Sequence, residues 1–193
     1  PVRDLWDPSY AGEVHVELAG WADVVEAVHG AGGRIMPQIW HVGITREAGK
    51  PPFPDAPSVG PSGIALDGTE GAGTALDLAG IDRIIGAFAE AAAQAERIGF
   101  DGVELHGAHG YLIDEFLWER TNRRTDGYAG GAAERARFAA EIVAEAISQY
   151  GVLVLRMAGE IVNQRKIDLM LRPADLSASA SLIAERARRH PLE

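Results

Sequence analysis

The stretch "GFDGVELHGAHGYLIDEFLWERTNRRTDGYAGG" occupies residues 99–131. After Gly99 it opens with "FDGVELHG", a short apolar run bounded by glycine, the pattern of a buried strand. Two histidines three apart, His106 and His109, follow at the mouth of that strand, with Tyr111 just beyond. Arginines, glycines and a second tyrosine complete the stretch. An apolar strand that ends in imidazoles and a phenol predicts a site at its carboxyl end.

Working outward, "LAGWADVVEAVHGAGG" places Trp21, Val24, Val25 and Val28 at helical spacing and stops at Gly32 and Gly33. Residues 34–43, "RIMPQIWHVG", read as a buried strand, although Pro37 favours its margin. Residues 44–75 are dense in proline and glycine without usable periodicity, and read as loop. A helix is predicted from Asp77 to Ile98, with Ile81, Ile84, Ile85 and Phe88 on one face. Another spans 132–148, a third strand covers 152–157, and a final helix could start at Asp175. Strands alternating with helices predict an α/β fold of parallel strands joined by right-handed crossovers. Ligands in such folds sit beyond the carboxyl ends of the strands. The two longest loops, 42–76 and 107–131, both leave a strand at that end. Loops of that length in a compact domain are usually functional or disordered, and two on the same face favour function.

Composition narrows the classes. The 193 residues are 47% hydrophobic, enough for one globular domain, and carry a formal charge of -10. That balance opposes a nucleic-acid or anionic-membrane partner, since phosphate affinity needs clustered Lys and Arg. The chain has no cysteine, which excludes disulfides and cysteine-ligated clusters and fits a cytoplasmic location. No apolar run approaches the roughly 20 residues needed to span a bilayer.

Three readings of His106 and His109 stay open on residues alone. A metal pair would need a third ligand, and no HExxH or facial-triad spacing is present. One histidine could cap the loop while the other is solvated. The third reading is a pair of donors aimed at a developing oxyanion, with Tyr111 supplying a proton. Gln38 and Arg156 are polar residues inside predicted strands, and each needs buried partners or a polar ligand. Gln38, His106 and Arg156 thus bring one polar group from each strand toward one end. Arg123 and Arg124 either clamp a phosphate or pair with Asp126 or Glu134 to hold their loop. "GAHGYL" lacks the dinucleotide-binding GxGxxG.

The stretch 99–131, continued by "ERARF", closely resembles the signature of the Old Yellow Enzyme family of flavin-dependent NAD(P)H oxidoreductases. "PQIWHVG" resembles the family's glutamine-containing strand, and "GPSGI" a loop that follows it. The resemblance runs over about residues 19–156. It implies a (β/α)8 TIM barrel with FMN at the carboxyl ends of the strands. By resemblance, Gln38 meets the flavin's pyrimidine edge and Arg156 lies near N1 and O2. His106 and His109 bind the carbonyl oxygen of an activated alkene, and Tyr111 donates the proton. NADH or NADPH would be the reductant, and no metal is implied. Such a barrel takes about 250 residues, and three strands are recognisable here. The chain is therefore expected to be a single domain over 1–193, a partial barrel with a divergent tail from 157 to 193. Ile44 stands where the family usually has arginine, and Ala129 is inserted before "GG". An open half barrel leaves strand edges, so self-association is expected. The alternative is a truncated, non-catalytic remnant that does not hold FMN.

Overall fold

The computed structural model describes residues 14–47, 49, 54–149, 153–157 and 167–171. The first helix, α1 (Val14–Gly30), is followed by β1 (Gln38–Ile39) and a 3-10 turn at Gly43–Thr45. Then come β2 (Val59–Gly60), β3 (Thr74–Ala75) and the long helix α2 (Leu78–Ile98). The chain continues through β4 (Val103–Gly107), α3 (Leu112–Leu117), α4 (Ala132–Arg135), α5 (Arg137–Gln149), β5 (Leu153–Met157) and β6 (Ile167–Leu171). The main sheet has the order β1-β4-β5-β6.

Local chemistry sets the helix ends. Asp77 caps α2 by accepting a hydrogen bond from Gly80 N at 2.6 Å. Gly99 ends it in the left-handed region, φ 97, where its N–H reaches the Ala95 and Glu96 carbonyls. Between these, Ile81, Ile85, Phe88, Ala92 and Ala95 form the buried stripe. The alanines let α5 pack closely, with its own Phe138, Ile142, Val143 and Ala146 buried. Phe138 stacks on Phe116 of α3 with ring centroids 4.1 Å apart. Each such aromatic contributes about 1.5–3 kcal/mol by leaving water.

The sheet runs parallel from β1 through β4 to β5, as the alternation of strands and helices predicts. In register, Gln38 faces Glu104, and His106 faces Arg156. On β4, Val103 and Leu105 turn toward the helices, while Glu104 and His106 take the opposite face. The strand read over 34–43 condenses to two residues, because Pro37 offers only its carbonyl, which accepts from Glu104 N at 2.9 Å. The helix read over 132–148 breaks at Ala136, between α4 and α5.

Two features depart from the expected plan. β6 joins β5 antiparallel, with Arg156 opposite Asp168, so the sheet is not wholly parallel. Residues 44–75 hold a two-stranded sheet, β2 with β3, paired in parallel. Strands of two residues carry no periodicity from which to predict them. The proposed helix from Asp175 lies outside the described residues. No helix among the described residues is long and apolar enough to cross a membrane.

Candidate active site

His106 lies within β4 and is 5% exposed, whereas His109, three residues on, is exposed. Between them the chain leaves the sheet at Gly107 and turns back, with Tyr111 N donating to Ala108 O. The turn needs positive φ at two successive positions, His109 at 63° and Gly110 at 74°. His109 is the one non-glycine residue with positive φ among the described residues. Such strain persists only where the surroundings enforce it, and it clusters at functional sites. Here the enforcement comes from Asp114, whose Oδ2 accepts from Gly110 N at 2.8 Å. Burial pushes the Asp114 carboxyl up, while that bond and the nearby His109 pull the other way.

Tyr111 is the N-cap of α3 and half-buried. Its ring lies 5.3 Å from that of His106, and the two imidazoles are 5.1 Å apart. Trp40, just past β1, meets Tyr111 edge-on at 4.6 Å and His106 edge-on at 5.9 Å. Leu112 N donates to His41 O at 3.0 Å, which fastens the start of α3 to the segment after β1. One short turn thus gathers two imidazoles and a phenol, with the Trp40 indole against His106 and Tyr111.

Gln38 answers the question its polarity raises, since its Nε2 donates to Glu104 Oε1 at 2.5 Å. It shares with Glu104 and His106 the sheet face opposite the helices. Arg156 stands in backbone register with His106, and its side chain lies outside the described residues.

The second long loop is built onto the first. Asn122 Nδ2 donates to Phe116 O at 2.7 Å and to Tyr128 O at 2.8 Å. Arg124 pairs with Asp126 at 2.5 Å and also donates to the carbonyls of Pro61 and Leu76. Those two carbonyls flank the excursion 61–76, so one guanidinium closes its base. Arg123 N donates to Ser62 Oγ at 2.8 Å, and Arg120 reaches Asp67 O. Of the two readings of Arg124, holding the loop through Asp126 is the one observed.

Below the turn, Glu115 is fully buried, and its Oε1 accepts from Ile44 N at 2.8 Å. Its Oε2 has no hydrogen-bond partner among the described residues. Burial pushes this carboxyl up to about 8. Trp40, Asp114 and Glu115 escaped the sequence reading. Two adjacent acids inside the otherwise apolar "LIDEFL" were the available signal for the carboxylates. Among the described residues no group of three or more His, Asp or Glu could hold a metal ion.

The sequence pattern of the NADH:flavin oxidoreductase / NADH oxidase family matches residues 13–191. That extends at both ends past the segment over which the motifs alone were legible. The chain is 40% identical over 146 residues to 12-oxophytodienoate reductase 2 of Arabidopsis thaliana, covering 71% of this chain and 38% of that one. It is also 40% identical over 136 residues to the "Probable inactive reductase easA" of Epichloe festucae var. lolii, covering 70% and 36%. Among solved structures, the Old Yellow Enzyme from Pichia sp. AKU4542 superposes with a TM-score of 0.67 at 29% identity, over 72% of this chain and 39% of that one. The chain thus spans less than half the length of each of these three relatives, and the likeness makes its α/β sheet part of a (β/α)8 barrel. The match over nearly all of its length places this chain in the NADH:flavin oxidoreductase / NADH oxidase family.

Proposed function

We propose that the chain serves an FMN-dependent NAD(P)H oxidoreductase that reduces activated C=C bonds in enones and enals. The observation that carries this reading is the turn itself. It brings His106, His109 and Tyr111 together and holds His109 at φ 63. His106 and His109 bind the carbonyl oxygen of the substrate and stabilise the charge that accumulates there. Tyr111 delivers the proton to the α-carbon, and Trp40 fixes the orientation of its ring. FMN, when bound, supplies the hydride taken from NADH or NADPH to the β-carbon.

The donor set fits such a cofactor. Gln38 both donates and accepts, as the pyrimidine edge of an isoalloxazine requires. Gln38, Glu104 and His106 share one face, and Arg156 is the cation assigned to the same edge. A substrate carrying a carbonyl conjugated to the alkene is the small molecule this constellation suits. Membrane and nucleic-acid partners are not part of the reading, and self-association is proposed because β1 is an edge strand of the main sheet among the described residues.

A second reading is favoured by one finding: a relative as similar as the reductases is described as probably inactive. On that reading the chain is a non-catalytic member that does not hold FMN. Titration of the purified chain with FMN separates the two. Stoichiometric binding with a perturbed visible spectrum supports the enzyme, and no binding at tens of micromolar FMN overturns it. In the loaded protein, Tyr111→Phe should leave flavin reduction by NAD(P)H intact and slow enone reduction by about 100-fold or more, the usual worth of a positioned acid. An equal loss in both half-reactions would remove Tyr111 from the role.

A further inference from the structure

We propose that Glu115 is a positioning residue, a latch that fastens the turn after β1 to the helix carrying Tyr111. The inference rests on the reading of Tyr111 as proton donor and assigns it a support on the far side of α3.

The geometry closes a circuit. Ile44 N donates to Glu115 Oε1, Glu115 N donates to Tyr111 O at 2.8 Å, and Leu112 N donates to His41 O at 3.0 Å. Trp40, immediately before His41, rests on the Tyr111 ring. Moving the turn away from Glu115 therefore moves both the indole that orients Tyr111 and the carbonyl that anchors the first residue of α3. Two glycines make room for the latch. A Cβ on Gly43 would lie 2.3 Å from Glu115 Oε1, and one on Gly60 would lie 3.0 Å from Oε2. Gly43 also requires positive φ, 61°. The chain has given up two side chains to admit one carboxyl, which bulk packing alone would not require.

That carboxyl is fully buried beside a second acid. From α3 the neighbouring charge is Asp114. From the segment before the turn comes His41, whose Nδ1 accepts from Gly43 N at 2.9 Å. From β2, Gly60 brings no charge, and Arg46 at the end of the turn donates to Ala56 O. Glu115 Oε2 has no hydrogen-bond partner among the described residues and lies beside the Asp114 carboxyl, so the latch closes on the neutral acid and opens when it ionises.

The test is amide hydrogen exchange of the full chain, corrected for intrinsic pH dependence, at pH 6, 7, 8 and 9. Protection at Ile44 and across 110–118 should fall by about 10-fold or more between pH 7 and pH 9 in the wild type. In Glu115→Gln, which keeps the shape and the acceptor but cannot ionise, protection should hold across the series. Where FMN is bound, the ratio of enone reduction at pH 9 to that at pH 7 should rise in Glu115→Gln. Constant protection in the wild type would overturn the latch, and so would loss of protection in Glu115→Gln at pH 6. Should Glu115→Gln fail to fold, the wild-type series still decides. An absence of enone reduction at every pH, with the exchange behaviour intact, would sink the enzyme reading and leave the latch standing.

Discussion

Two carboxylates bracket β1, and they make the same bond in opposite settings. At the amino end, Asp101 Oδ2 accepts from Ile35 N at 2.8 Å, just before the strand. At the carboxyl end, Glu115 Oε1 accepts from Ile44 N at 2.8 Å, just after it. Asp101 adds two side-chain partners, His29 and the Arg34 guanidinium, each at 2.9 Å and both exposed. Its carboxyl is held at about 2, first by the His29 hydrogen bond and then by Ile35 N. Glu115 is fully buried, its Oε2 has no hydrogen-bond partner among the described residues, and burial holds it at about 8. The amino end of the sheet is joined as a surface is joined. The carboxyl end accepts a buried acid, a left-handed histidine and two interlocked loops, costs that stability alone does not explain and that fit a functional face.

Neutralising Glu115 gives the largest expected effect. Its folded value of about 8 lies above the ordinary 4.5. Between those values the unfolded chain has released its proton and the folded chain retains it. Stability is therefore fully present below about pH 4.5 and is lost as pH rises through 8. Glu115→Gln should remove that slope, with a gain at pH 8 on the order of 4–5 kcal/mol as an upper bound. Thermal unfolding of both proteins from pH 5 to 9 measures it. Parallel Tm curves would show that Glu115 finds a stabilising partner when ionised, and the contrast between the two carboxylates would collapse.

This same pair marks how far the sequence could be read. The strand at 100–107, the helix at 77–98 and the third strand at 152–157 were legible, because apolar periodicity and glycine stops act locally. The convergence of His106, His109 and Tyr111 was legible too, since they sit within six residues at a strand end. Asp114 and Glu115 were not. Charges in a short helix ordinarily face water, and nothing local reveals that the turn at Gly43–Thr45 and β2, some 55–70 residues earlier, will lie against Glu115. Gln38 and Glu104 are likewise partners only through strand register. The β2–β3 pair and the antiparallel β6 depend on contacts that no short-range pattern encodes.

A middle-sized effect should come from His109. Its positive φ costs about 1 kcal/mol in a residue with a Cβ. His109→Gly should therefore raise stability by up to about 1 kcal/mol, partly offset by the added freedom of the unfolded chain. The same change should weaken binding of a phenolic ligand that mimics the enone oxygen. Denaturant unfolding and a ligand titration read the two effects separately. A variant that gains stability and loses ligand would place the strain at the carboxyl end in the service of binding. One that loses both would make His109 a structural residue, and the turn no different in kind from the Asp101 cluster.

Asp101→Asn should give the smallest effect, opposite in sign to Glu115→Gln. Asp101 titrates below its ordinary 3.8, so its contribution is present above about pH 4 and lost as pH falls through 2. The substitution should lower Tm at pH 7, and the deficit should shrink as the wild type is acidified toward pH 2. Arg34 is 85% exposed and His29 41% exposed, so salt screens much of the attraction. At 1 M ionic strength, where the Debye length is about 3 Å, the neutral-pH deficit should fall further. The residual deficit measures the Ile35 N–H bond to a charged acceptor against the same bond to an amide. If the deficit were insensitive to both acid and salt, the ion pairs would contribute nothing at the amino end. The two ends of β1 would then differ only in burial, with the Arg34 cation incidental to it.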